Sequence, residues 1–240
     1  MLRALTCIAS AVALDTSTAI VNAAPSCQLD PERPKLMRLE LTVPATYCAR
    51  VQDDPSCLEF PKPSAIQLHG LWPNYQSGHP SGQCDRSECR EQTARQGRYC
   101  AFPEPDGLYQ AAWWPRLKPY MAGAESCLER HEWVKHGTCS GMKAANYFAW
   151  SLESTRRIAE ALAEASDRML TRDAFDRLVR DRLPDLDGAI RLNCRRNTVS
   201  SLYVLYEWGD PPGQPMRTRD SANHFGNCPK SFVIPSRPRS

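Results

Sequence analysis

The cysteines constrain this chain more than any other feature. There are 11. Cys7 lies in the N-terminal segment, and the other ten run from Cys27 to Cys228 with no C-x-x-C spacing among them. An even number spread this way fits five disulfides made in an oxidising compartment, and fits a metal site poorly. Such staples allow long irregular connections. Asn74 to Gly107, rich in Gly, Pro, Ser and charge, holds Cys84, Cys89 and Cys100. It reads as loops pinned by disulfides, because a loop that long otherwise counts against a compact domain.

The oxidising compartment has a counterpart at the N-terminus. Arg3 precedes a short apolar run, Ala4 to Leu14, and small residues surround a cleavage point after Ala23 or Ala24. Residues 1–23 therefore read as a signal peptide, with Asp15 an untidy charge beside the apolar run. A periplasmic or secreted protein is expected. About 42% of the residues are hydrophobic, enough for a sizeable core. No run reaches the roughly 18 apolar residues that a membrane helix needs, so no membrane partner is expected of the mature chain. The formal charge of +3 suits transient attraction to a polyanion but does not by itself argue for one.

Patterning divides the remainder into strands early, helices in the middle and strands late. Leu36 to Tyr47 alternates partly and reads as a strand ending at Pro44 or just past it, and Ser64 to Trp72 reads as a second strand. Helices are expected over Leu108 to Trp114, stopped by Pro115, and over Glu125 to His136, stopped by Gly137. Two more are expected over Ala144 to Leu170 and Arg172 to Leu183, the latter capped by Thr171. Ala189 to Asn193, Ser200 to Trp208 and Ser231 to Ile234 read as strands again. This order predicts an α+β fold: one disulfide-stabilised domain over residues 24–240, with a mostly antiparallel sheet packed against several helices.

The chemistry gathers on two segments. In HEWVKHGTC (131–139), His131, Glu132, Lys135 and His136 fall at about 0, 100, 40 and 140 degrees around a helix, in one sector. Trp133 and Val134 point elsewhere and can face the core. The histidines stand at i and i+5, not the i and i+4 of an H-E-x-x-H zinc helix, and Lys135 would repel a cation. No metal and no cofactor is expected. In IQLHGLWPNY (66–75), His69 ends a strand, Gly70 permits close backbone approach, and Trp72 offers a flat ring on which a base can stack. Two imidazoles suit RNA cleavage. One takes the 2′-hydroxyl proton, the other protonates the departing 5′-oxygen, and a nearby cation stabilises the crowded phosphorus. DNA lacks that hydroxyl and should be spared.

At these two segments the chain resembles the ribonuclease T2 family. IQLHGLWPNY looks like its first catalytic motif and HEWVKHGTC like its second. LTVPATYC (41–48), WWPRL (113–117) and NCPKSFVI (227–234) are also family-like, and the resemblance spans roughly residues 35–235; the ERHEW start and the loops look closer to bacterial periplasmic members than to plant or fungal ones. It implies His69 and His136 as the acid–base pair, with His136 the base of the first step. It implies His131 on phosphate, Glu132 and Lys135 at the transition state, and Trp72 under a base. Asn74 stands where some members place an acidic residue near the base, and Leu128 where many have an aromatic one. The resemblance also implies Cys84–Cys139 and Cys194–Cys228 as disulfides, with Cys48–Cys57, Cys100–Cys127 and Cys27–Cys89 completing the set.

The expected protein is an exported endoribonuclease of low base specificity, acting as a monomer on RNA. An exported RNA-binding or signalling protein of weak catalysis on the same scaffold is the rival reading. A metal-dependent phosphodiesterase is a third, and loss of activity on chelation would be needed to support it.

Overall fold

A computed structural model describes residues 29–51, 53–76, 99–217 and 225–238. The expected signal peptide, with Cys27, Cys84 and Cys89, lies outside the described residues. Six strands form one sheet: β1 (Lys35–Thr42), β2 (Gln67–Tyr75), β3 (Met169–Thr171), β4 (Ile190–Arg195), β5 (Thr198–Glu207) and β6 (Ser231–Val233). Their order is β2-β1-β5-β6-β3, with β4 also paired to β5. All pairings are antiparallel except β5 with β6, which meet in parallel at Thr198 and Val233.

Strict alternation in β1 sets the layering. Met37, Leu39 and Leu41 are fully buried on one face, while Arg38 and Glu40 share the other. The apolar face is covered by the 19-residue helix α4 (Ala144–Leu162), whose Tyr147, Phe148, Leu152, Ile158 and Leu162 are buried at helical spacing. Tyr147 locks this helix to β2. Its hydroxyl donates to the Leu71 carbonyl at 2.6 Å and accepts from the Leu71 N–H at 3.0 Å.

Several boundaries differ from the sequence expectation, each for a local reason. The first strand stops at Thr42, and Pro44 opens a short helix, α1 (Pro44–Cys48). Pro115 does not stop a helix. It sits in the first turn of α2 (Trp114–Leu117), where a missing N–H costs nothing. Leu108 to Trp113 is a run of turns. The expected helix from Glu125 is broken by Cys127, left-handed at φ 57°, and α3 covers only Leu128–Lys135. The long helix ends at Leu162, so that Leu170 lies in β3. Helix α5 (Arg172–Arg182) is capped by Thr171, whose hydroxyl accepts from the Ala174 N–H at 3.2 Å.

Disulfides join Cys48 to Cys57, Cys100 to Cys127 and Cys194 to Cys228, and Cys139 is also disulfide-bonded. Among the described residues no helix is long and apolar enough to cross a membrane.

Candidate active site

The site begins with an irregularity in β2. Against β1, Gly70 pairs with Glu40 and Leu68 with Leu41, so His69 has no partner and the strand bulges there. A bulge adds one residue and reverses the alternation beyond it. Leu68 and Leu71, three apart, are therefore both fully buried in the core. His69 and Trp72, also three apart, both face the other side, with ring centroids 5.3 Å apart edge to face. Asn74 follows two residues after Trp72, opposite Leu36.

Helix α3 meets that face. His131, Glu132 and His136 are buried, and Lys135 is half-buried in the last turn. Trp133 and Val134 turn to the core side, Trp133 packing edge-on against Tyr147 at 5.6 Å. Gly137 follows the helix, but not as a left-handed stop. A Cβ there would come within 2.1 Å of the Trp133 ring, so the residue is required for space. His136 itself ends the helix, its N–H bonded to the Glu132 carbonyl at 3.0 Å.

Glu132 is the centre of the arrangement. Its Oε1 lies 3.6 Å from His69 Nε2, and its Oε2 lies 3.7 Å from His136 Nε2. Oε2 also accepts a 2.8 Å hydrogen bond from Trp72 Nε1. The Trp72 ring stacks on His136, centroids 5.0 Å apart and planes 20° apart. Gly70 makes this approach possible, because a Cβ on it would stand 2.1 Å from Glu132 Oε2 and 2.6 Å from Trp72 Nε1.

Burial dominates the electrostatics. Glu132 is raised to about 8, chiefly by loss of water, against the lowering effects of the Trp72 bond and Lys135. His136 is held well below its usual value by burial first and then by Lys135, His69 and His131. His131 is lowered to about 4 by burial and Lys135. His69 is lowered too, by desolvation and then by Lys135, His131 and Arg38. Its side chain keeps 41% of its surface open to water. The helix C-terminus favours a charged His136, but burial and Lys135 outweigh it. An arriving phosphodiester brings the negative charge that the cluster lacks, and favours imidazolium.

Two groups near the site had little sequence signal. On β1, Arg38 lies 5.3 Å from the Trp72 ring centroid and 3.9 Å from that of Tyr203, and pairs with buried Glu40 at 2.6 Å. Their alternation with leucines was the available clue, but it reads equally as a solvated face. Tyr99 lies 4.7 Å from the His131 ring and Phe102 lies 5.8 Å from it. The Nδ1 atoms of His131 and His136 are buried with no hydrogen-bond partner among the described residues. Such orphans are filled by water or by a ligand.

Beside His69 opens a cavity of about 230 Å³, lined among others by Thr42, Tyr47, Gln67, Tyr99 and Leu128. Asp54 and Lys62 also contribute to its wall. Among the described residues no three His, Cys, Asp or Glu side chains group as a metal ion requires.

Residues 34–207 match the model of the ribonuclease T2 family. Ribonuclease I of Escherichia coli is 29% identical over 200 residues, which cover 72% of each chain. Extracellular ribonuclease LE of Solanum lycopersicum is 28% identical over 182 residues, 71% of this chain and 74% of that one. Among solved structures, RNase NT in complex with 5′-AMP shares the fold at a TM-score of 0.56 and 19% identity, over 84% of this chain and 98% of that one.

Proposed function

The chain belongs to the ribonuclease T2 family, and from that premise we propose that it is an exported endoribonuclease. It cleaves single-stranded RNA with low base specificity, through His69 and His136 and without a metal. The observation that carries this reading is Glu132, with one carboxylate oxygen 3.6 Å from the first imidazole and the other 3.7 Å from the second. A strand and a helix thereby hold two proton carriers about one buried carboxylate.

In the first step a neutral His136 takes the proton from the 2′-hydroxyl, whose oxygen forms a bond to phosphorus. His69, as imidazolium, gives its proton to the 5′-oxygen as the P–O5′ bond breaks. The products are a 2′,3′-cyclic phosphate and a free 5′-hydroxyl. In the second step the roles exchange and water opens the ring to a 3′-phosphate. Lys135 and His131 face the charge that grows on the non-bridging oxygens. Glu132 holds both rings and buffers their protons. The cavity beside His69 takes a nucleotide next to the scissile phosphate. Trp72, besides bonding Glu132, offers ring surface for a base, with Asn74 further along β2.

Export is supported by the cysteine pattern, by the signal-like residues 1–23, and by a relative named as extracellular. On this reading the mature protein is periplasmic or secreted. Incubation with RNA and DNA homopolymers in EDTA tests the whole reading: RNA should be cut and DNA left intact. Binding of RNA with no cleavage would instead support the weakly catalytic rival.

A further inference from the structure

A second feature lies on the far side of helix α1 from the active site. Pro44 and Tyr47, i and i+3, face the cavity beside His69. Thr46 and Ala49, also three apart, face a separate groove of about 400 Å³. That groove carries Arg50 from just past α1, Arg195 from the end of β4 and Arg196 from the β4–β5 turn, all exposed. No carboxylate lines it, and among the described residues none of these three arginines is ion-paired. Three guanidinium groups around one groove repel one another weakly in water, and an anion between them turns that repulsion into attraction.

The groove walls are fixed in place. Thr46 Oγ1 donates to the Val199 carbonyl at 2.6 Å, and the Cys48–Cys57 disulfide ties α1 to the segment bearing Asp54 and Ser56, which line the cavity. The Asn197 carbonyl accepts from the Val233 N–H at 2.9 Å, and Cys194–Cys228 anchors β4. Cavity and groove thus share one rigid wall.

We propose that this groove binds backbone phosphates of the RNA strand beyond the nucleotides at the active site. The inference rests on the ribonuclease reading above. A helix with its side chains is about 10–12 Å across, so the groove takes phosphates further along the strand than those at the cavity. Guanidinium groups suit this task, since they pair with phosphate oxygens in a bidentate fork and ignore base identity. Long RNA then binds more tightly than short RNA, with the same chemistry at the bond.

The test compares the parent with Arg50→Ala/Arg195→Ala/Arg196→Asn. Asparagine is used at Arg196 because that residue is left-handed at φ 56°. Steady-state kinetics are measured on a dinucleoside monophosphate and on a 12-nucleotide RNA. Binding of a DNA 12-mer, which carries phosphates without the reactive hydroxyl, is measured by fluorescence anisotropy. The variant should raise the RNA 12-mer KM and the DNA Kd about tenfold. Its salt slope should fall by about 2, and dinucleoside kinetics should not change. An unchanged 12-mer KM and DNA Kd would overturn the proposal. So would loss of binding to phosphatidylglycerol vesicles with oligonucleotide binding intact, which would assign the groove to a membrane surface. If the parent cut neither RNA, the ribonuclease reading would fail, while the DNA arm would still decide whether the groove binds phosphates.

Discussion

The indole N–H of Trp72 donates to Glu132 Oε2 at 2.8 Å, joining strand β2 to helix α3 at the centre of the site. The bond fixes a buried carboxylate between two imidazoles, and it sets Trp72 a task that ring stacking alone would not. Trp72→Phe keeps a flat ring and removes the donor. We expect kcat to fall about 10–100-fold, with a smaller change in KM, because a displaced carboxylate misplaces both histidines. A variant with raised KM and unchanged kcat would show that the ring acts on the base and not through Glu132.

Gly70→Ala attacks the same bond from the backbone. The added Cβ would stand 2.1 Å from Glu132 Oε2, so Glu132 or Trp72 must move. We expect about a 100-fold loss of kcat/KM, with the disulfides intact by mass. Activity within a few-fold of the parent would mean that the carboxylate position is not critical.

The pH profile follows from burial. His69, His131 and His136 are all lowered, so they are neutral at pH 7 in the free protein. The reaction needs one neutral and one protonated imidazole. Activity therefore rises as the pH falls below 7, then drops when both rings are charged. kcat/KM measured from pH 4 to 8 should trace a bell with its maximum on the acid side of 6.5. A flat profile, or an alkaline maximum, would count against a two-histidine mechanism.

Glu132 makes a separate prediction about stability. Its folded value is about 8 against an ordinary 4.5, so the folded protein binds this proton more tightly than the unfolded chain does. The stability linked to that proton is fully present below pH 4.5 and is lost as the pH rises through 8. Glu132→Gln removes the titration. Its Tm should exceed the parent's at pH 8, by an amount equivalent to about 4 kcal/mol, and the gap should close towards pH 4.5. Its activity should fall sharply. A Tm difference independent of pH would show that Glu132 is not held neutral by the fold.

Much of this site was legible in the sequence. The sector shared by His131, Glu132, Lys135 and His136 follows from helical spacing, and α3 places the three buried members against β2. What was not legible depended on contacts between distant segments. The bulge at His69 is a mismatch between two strands and leaves no mark on one of them alone. Gly137 resembles a helix stop, yet its role is to clear the Trp133 ring. Cys127 adopts a left-handed backbone that composition would assign to glycine. Arg38 and Glu40 look like a solvated face until β5 and Trp72 enclose them.

Replacing either proton carrier should abolish the chemistry and spare the fold. His69 is partly open to solvent, and His69→Ala should cost about 10²–10⁴-fold in kcat. His136→Ala should cost as much, although it also opens a small cavity beneath Trp72. Circular dichroism and the disulfide count should match the parent. Near-parent activity in either variant would remove that histidine from the mechanism.

The central claim is that two histidines cleave RNA by transesterification without a metal, and the ends of the products test it most directly. A short single-stranded RNA incubated with the purified protein in excess EDTA, and resolved by mass spectrometry, should yield fragments with 2′,3′-cyclic phosphates. These should convert with time to 3′-phosphates, each with a partner bearing a 5′-hydroxyl. Fragments ending in 3′-hydroxyl and 5′-phosphate, or no cleavage until a divalent cation is restored, would contradict it.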